Sequence, residues 1–230
     1  MCGRFALNTP PKYLAEQFRL DEIADLSPRY NIAPTQDVAV VLAAPESKAR
    51  KLVLMKWGLI PRWAKDTAMA SKMINARAET AHEKPTFKPA LKHRRCLIPA
   101  DGFYEWKKNG GGKQPFFIRL KEEKPFAFAG LWDRWEGQIG DEESTIESCT
   151  ILTTSANDLM KPLHDRMPVI LDPRDYDLWL DPAVEDADKV RPLLVPYPPA
   201  LMTSFPVSTH VNSPRYDDPL CIAPAETSLF

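Results

Sequence analysis

Cys96-Leu-Ile98, Phe103-Tyr-Glu-Trp106, Pro115-Phe-Phe-Ile-Arg-Leu120 and Phe126-Ala-Phe-Ala-Gly-Leu131 follow one another closely, parted by short polar stretches. Runs this short, rich in aromatic and aliphatic residues and bounded by Gly, Pro, Asn and Lys, read as β-strands. Ser148–Thr154 and Leu201–Ser208 add two more. Val38–Leu42 and Leu52–Trp57 form a further pair, with the polar stretch Glu46–Arg50 as their turn. Lys107–Lys113 holds a glycine triplet, but no helix and no Gly-Lys-Ser/Thr ending follows, so it reads as a hairpin turn and not a phosphate cradle. Helical signals are short and lie outside this block. Residues 10–19 read as an amphipathic helix with Thr9 as N-cap, 86–95 as a basic helix broken at Pro89, and 172–180 as one more. Arg29–Pro34 is expected to be extended and exposed, Ile60–Met73 irregular, the acidic stretch Glu136–Glu147 a solvated loop, and residues 181–200 an irregular connection. With no repeat and no linker, the chain reads as one α+β domain over residues 1–230, mainly β with peripheral short helices.

Composition agrees with a soluble globular chain: 230 residues, 44% hydrophobic, 27% charged, and 23 prolines against 9 glycines. No apolar run is long enough to span a membrane. Lys12, Glu16, Arg19 and Asp21 interrupt the first twenty or so residues where a signal peptide would carry its apolar core, which makes the expected location cytoplasmic. Cys2, Cys96, Cys149 and Cys221 lie far apart without metal-ligand spacing, so neither a metal nor a cofactor is expected. Net charge is −1, yet Lys48–Lys121 holds 18 basic and 5 acidic residues while the rest holds 12 and 26. That segregation predicts one basic face, suited to a polyanion.

Four features carry chemistry. Cys2 follows Met1, and methionine aminopeptidase removes an initiator ahead of a small residue. A free Cys2 would present an α-amine (ordinary pKa about 7.7–8.0) beside a thiol (about 8.5), a 1,2-aminothiol able to capture an aldehyde as a thiazolidine. Asn75-Ala-Arg77 puts an amide and a guanidinium on one face if the segment is extended; the bland alternative is a helix start with solvated charges. Glu105, between Tyr104 and Trp106, is either a strand residue facing water or a buried carboxyl fit for proton transfer. His164, in Leu163-His-Asp-Arg166, is the histidine best placed for acid–base work, with a loop histidine bonded to Asp165 as the competing reading. His82, His93 and His210 read as structural or surface residues. Trp57, Trp132 and Trp135 read as core, and Trp63, after Pro61-Arg62, as an exposed base-stacking platform.

Met1-Cys-Gly-Arg-Phe5, Arg29-Tyr-Asn-Ile-Ala-Pro34, Trp57-Gly58, Asn75-Ala-Arg77, Pro99-Ala-Asp-Gly-Phe-Tyr-Glu-Trp106 and His164-Asp-Arg166 occur here in one order. In this the chain resembles the SRAP (SOS-response-associated peptidase) family of abasic-site processing proteins, most strongly over residues 2–208, with 209–230 as a C-terminal extension. The resemblance implies a mainly-β domain with mixed and antiparallel sheets and a barrel-like core. It implies single-stranded DNA containing abasic sites as partner, and a covalent cross-link through Cys2 once Met1 is gone. Asn75 would position the reacting end, Glu105 would move protons at the Schiff-base steps and in freeing the N-terminus, and His164 would assist ring opening and reversal. Arg4, Arg77 and Arg166 would hold phosphates, and Pro34, Trp63, Trp106 and Thr153 would line or wedge the groove. Ala64 and Pro85 depart from residues some relatives carry at those positions. A monomeric, bacterial-type protein that meets DNA at the nucleoid is the accompanying expectation.

Two other classes compete. An N-terminal-nucleophile glutamine amidotransferase also begins Met-Cys-Gly, but here Arg4 follows, no Arg-Gly pair occurs, and Asn109-Gly110 sits in a Lys-rich turn. A single-strand DNA-binding module without a covalent step would need the basic face and not Cys2. Cleavage of other proteins finds no support beyond removal of the chain's own first residue.

Overall fold

In a computed structural model that describes residues 2–22, 25–43 and 50–225, the apolar runs become thirteen strands. They are β1 (Phe5–Leu7), β2 (Arg29–Ile32), β3 (Asp37–Ala43), β4 (Arg50–Trp57), β5 (Asn75–Arg77), β6 (Arg95–Ala100) and β7 (Gly102–Asn109). The remainder are β8 (Gly112–Leu120), β9 (Phe126–Ile139), β10 (Glu142–Ser155), β11 (Arg166–Pro168), β12 (Ile170–Leu171) and β13 (Met202–Pro206). The helices are short: α1 (Pro11–Phe18), α2 (Ala78–Ala81), α3 (Lys88–His93), α4 (Tyr176–Leu180) and α5 (Ala187–Val190).

The larger sheet closes on itself. β4, β3, β6, β9 and β10 pair in that order through antiparallel ladders, and β10 then pairs β4 in parallel, Ser148 opposite Lys56 and Cys149 opposite Trp57. A closed barrel leaves no edge along its seam. β5 and β11 add to β10, and β12 adds to β9. The second sheet, β13-β8-β7-β1-β2, is antiparallel throughout and includes the expected Lys107–Lys113 hairpin, with Asn109 opposite Gly112. Four buried rings join the sheets: Phe5 meets Phe128 edge-on at 5.7 Å and Trp57 at 5.1 Å, and Phe103 meets Phe128 at 6.1 Å.

Several expectations change. Residues 136–147 form no loop: β9 and β10 run on as a two-stranded arm, Glu136 opposite Thr145, turning at Gly140 with φ +63°. The arm's outer half is solvated on both faces, so its sequence carries charge where buried strands carry aliphatics. The Arg29–Pro34 segment is extended but largely not exposed, since Asn31 is fully buried and Ile32 nearly so. Thr9 does not cap α1. Pro10 occupies that position, and the Thr9 amide and hydroxyl both donate to the Asp101 carboxylate. Pro89 sits in the first turn of α3 and begins it, because a proline there gives up no intrahelical bond. Residues 44–49, the expected turn between β3 and β4, lie outside the described residues, while the β3–β4 ladder forms as expected from Asp37↔Lys56 to Ala43↔Arg50.

The basic run is also less exposed than its sequence implies. Arg50 and Arg95 are buried, Arg95 donating to the carbonyls of Leu91, Lys92, Trp179 and Asp181. Arg94 turns onto the buried Asp133 at 3.2 Å. Those three charges hold the barrel's outer elements together instead of facing solvent.

Candidate functional site

The site gathers where the segment ahead of β1 runs beside β7. Phe5 pairs with Phe103, and the Tyr104 amide donates to the Arg4 carbonyl at 2.9 Å, extending the ladder toward Glu105. Cys2 is fully buried and Glu105 only 5% exposed, which settles the reading of Glu105 in favour of a buried carboxyl. Burial first, and the neighbouring Glu105 charge second, push the Cys2 thiol far above its ordinary value. At neutral pH that sulfur holds its proton.

Asn75 approaches from the barrel. β5 lies parallel to β10 (Ile151↔Asn75, Thr153↔Arg77), and the Trp57 indole donates to the Ile74 carbonyl at 2.9 Å, fixing the entry to the strand. Asn75 Nδ2 then donates to the Cys2 carbonyl at 2.8 Å, while its buried Oδ1 has no hydrogen-bond partner among the described residues. A buried acceptor left open is one that an incoming donor can satisfy. Asn75 is therefore on a strand and not at a capped helix start, which begins at Ala78.

His164 and Arg166 enter from the other side of β10. Ser155 pairs with Arg166, and the Ala156 amide donates to the Asp165 carbonyl at 3.0 Å. The His164 ring is part-buried, and its Nδ1 lies 2.9 Å from the Arg166 amide and 2.8 Å from Asp165 Oδ1. One nitrogen cannot serve both at once. It accepts from the amide when the ring is neutral, leaving Nε2 as the N–H, and donates to Asp165 when the ring is protonated. The His164–Asp165 contact of the competing reading is thus present, and His164 lies in the loop that leads into β11.

The expected DNA contacts divide. Trp63 is 59% exposed and Arg77 is exposed, Pro34 and Trp106 are half-buried, and all remain open to a ligand. The irregular segment bearing Trp63 is pinned by its flanks: Ile60 donates to Ser148 Oγ, Arg62 to Asp133, and the Trp135 indole to the Ala64 carbonyl. Thr153, by contrast, has no exposed surface and cannot line a groove as it stands. It lies beneath Arg166, accepting from that guanidinium through its carbonyl at 2.6 Å and its hydroxyl at 3.2 Å. Arg4 turns inward, donating to Asn31 Oδ1 (2.6 Å) and the Val211 carbonyl (2.9 Å) and lying 5.7 Å over the Trp106 ring. Arg166 is committed to Glu79 through two bonds of 2.6 and 2.8 Å.

The sequence reading missed four residues that hold these side chains. Asn31 ties Arg4 to the carbonyls of Val211, Ser213 and Tyr216, so residues 209–225 pack onto the second sheet. Asn212 accepts from the Trp106 indole at 2.7 Å, Asp133 anchors Arg62, and Glu79 anchors Arg166. Only Glu79, two residues past Arg77 in a basic run, left a visible signal. His210, Asp218 and Cys221 each bring one potential ligand atom within 4.8 Å of the others. The His210–Asp218 separation of 2.9 Å is that of a hydrogen bond, with the ring stacked on Tyr216, so the trio is accounted for as a brace on the C-terminal turns.

The class of protein to which this closed barrel belongs, with its buried Cys2 held at the carbonyl by the Asn75 amide, is given by its relatives. Residues 1–214 match the profile of the SOS response associated peptidase (SRAP) family, and the chain belongs to that family. It is 44% identical over 223 residues to the abasic site processing protein YoqW of Bacillus subtilis, covering 95% of this chain and 97% of that one. It is 36% identical to the abasic site processing protein HMCES of Gallus gallus, covering 88% of this chain and 68% of the relative. The solved structure of a Bacteroides thetaiotaomicron protein superimposes with a TM-score of 0.84 at 27% identity, over 97% of this chain and all of that one. Among the described residues no helix is long and apolar enough to cross a membrane.

Proposed function

We propose that this chain processes abasic sites in single-stranded DNA, and that it does so by covalent capture at Cys2 after Met1 is removed. Family membership and relatives that carry the name abasic site processing protein support the first part. The observation that carries the second is the convergence on Cys2 of the Asn75 amide and the Glu105 carboxylate.

An abasic deoxyribose is partly ring-opened, exposing an aldehyde at C1′. The Cys2 amine adds to that carbon, and the carbinolamine loses water to give an imine. The thiol sulfur then adds to the same carbon while its proton passes to nitrogen, closing a thiazolidine with no oxidant or reductant. Glu105 is the group placed to relay protons at the loss of water and at ring closure, and to take part in freeing Cys2 from Met1. Asn75, holding the Cys2 carbonyl, keeps the amine aimed. His164, through Nε2, protonates or deprotonates the sugar oxygen during ring opening and reversal. Arg77 contacts phosphate, and Trp63, Trp106 and Pro34 bear on the bases. Contacts of this kind are independent of sequence, so selectivity comes from the aldehyde, which an intact nucleotide lacks.

The deciding experiment incubates the processed protein with a single-stranded oligonucleotide bearing one abasic site, followed by denaturing electrophoresis. A shifted band that requires both Cys2 and the lesion is expected. Release of all DNA on denaturation, or an equal band from Cys2→Ala, refutes the covalent step and leaves a non-covalent single-strand binder.

A further inference from the structure

The Arg166 guanidinium is already seated on a carboxylate. Nη1 and Nη2 meet the two Glu79 oxygens at 2.6 and 2.8 Å, and Nη2 also reaches the Thr153 carbonyl and hydroxyl. This is the planar two-point geometry with which arginine grips a phosphate. The Glu79 side chain is 49% exposed and that of Arg166 16%, so a ligand arriving from solvent meets the carboxylate first. Arg166 holds the Glu79 carboxyl below its usual range, chiefly through their hydrogen bonds, with a smaller contribution from the charge of Arg77. Glu79 therefore stays ionised at neutral pH and offsets positive charge from β5 and β11, which flank β10.

We infer that Glu79 is a tethered stand-in for a DNA phosphate, occupying the Arg166 seat in the free protein so that an undamaged strand gains little from that arginine. The inference rests on the proposed DNA-binding function of this face. Its physical basis is counterion release. When a phosphate takes a lysine or arginine, mobile ions leave both surfaces and their entropy drives much of the binding. Glu79 cannot leave. A phosphate that displaces it from Arg166 frees no mobile anion there and must leave a carboxylate without its partner, so in the wild type this contact stays unmade and the phosphate keeps its cation. Sequence-independent affinity is lowered at this one contact, while the aldehyde reaction at Cys2 has no use for it. On this account Glu79 lowers the reversible affinity for any strand at this contact, so that lasting retention depends on the aldehyde reaction at Cys2.

The test measures Kd for an undamaged single-stranded oligonucleotide over a salt series, using the full-length chain. Glu79→Gln removes the charge and keeps the shape. It should bind several-fold tighter at low salt, with the slope of log K against log salt steeper by about 0.7, the increment for one more phosphate on a single strand. Combining it with Arg166→Gln should abolish that gain. Unchanged affinity and slope in Glu79→Gln, with an intact thermal transition, would make the residue a brace and overturn the inference. Weaker binding would overturn it as well, because Glu79 would then be presenting the arginine. If Glu79→Gln melts below the assay temperature, Glu79→Asp replaces it: a carboxylate set back by one methylene reaches the guanidinium less well, and a smaller change in the same direction is expected. A wild-type chain that shows this salt behaviour but never cross-links to an abasic strand would retain the inference and lose the covalent proposal.

Discussion

Gly58→Ala is the substitution whose cost can be worked most directly from the structure. Gly58 has φ +135°, a region closed to side-chain-bearing residues, and it ends β4 immediately after Trp57. A Cβ built there falls 2.4 Å from the Ala70 carbonyl oxygen and 2.9 Å from its carbon, both backbone atoms. Ala70 cannot simply step aside: its oxygen accepts from Met73 at 3.1 Å, and the Met73 carbonyl accepts from Leu59. The strained backbone costs about 1–3 kcal/mol and the disturbed hydrogen bond about 1 kcal/mol, so a loss of about 2–4 kcal/mol is expected. For a chain of this length that corresponds to a fall in Tm of roughly 5–15 °C. Urea unfolding followed by tryptophan fluorescence measures it. Gly110→Ala serves as the control, since a Cβ there meets nothing within 4 Å, and it should stay within about 0.5 kcal/mol of wild type. A loss below about 1 kcal/mol in Gly58→Ala would refute the reasoning and require the Ala70–Met73 turn to be more yielding than its bonds imply.

Three further outcomes are expected. Trp63→Ala should weaken single-strand binding by about 1–3 kcal/mol, seen as a rise in Kd of roughly 5- to 150-fold, while leaving the urea midpoint in place. Glu105→Gln should slow adduct formation on an abasic oligonucleotide by about 10² or more in a timed gel assay, and an unchanged rate would remove Glu105 from the proton transfers. Stability should fall at alkaline pH. Burial raises the Cys2, Cys96 and Cys149 thiols well above their ordinary range, so the folded chain keeps protons that the unfolded chain releases. Stability is then complete below pH 9 and declines above it by about 1.4 kcal/mol per pH unit for each such thiol. A urea series from pH 8 to 10.5 should show Cys149→Ala with the shallower decline.

Core strands announced themselves in the sequence because burial demands aliphatic and aromatic density, and β6 to β9 carry it in nearly unbroken runs. The outer halves of β9 and β10 meet water on both faces, so nothing in their composition separates a strand from a loop. Barrel closure was equally hidden. It depends on β10 running parallel to β4, a pairing across some ninety residues that leaves no local signature. Asn31 shows the same limit at a single position. Its burial makes sense only with the three carbonyls of residues 211–216 in view, and alone it looks like a surface residue. The motifs bearing Cys2, Asn75, Glu105 and His164 were legible because chemistry demands particular residue types. Their supports were not, because Glu79, Asp133 and Asn212 answer partners far away in the chain.

The depth at which Cys2 lies bears on the order of steps in the proposed reaction. An exposed aminothiol would present two nucleophiles of similar availability, and its thiolate would be open to oxidation. Here burial and the Glu105 charge hold the sulfur in its neutral form, and in the proposed reaction the amine freed by loss of Met1 would then be the first nucleophile. Once the imine has formed, the sulfur faces an electrophilic carbon held at bonding range, and it needs only to lose its proton as the bond is made. In the proposed reaction the carboxylate that opposes a free thiolate would relay that proton to the nitrogen. One charge would then serve twice, disfavouring an early thiolate and assisting ring closure once the imine is in place.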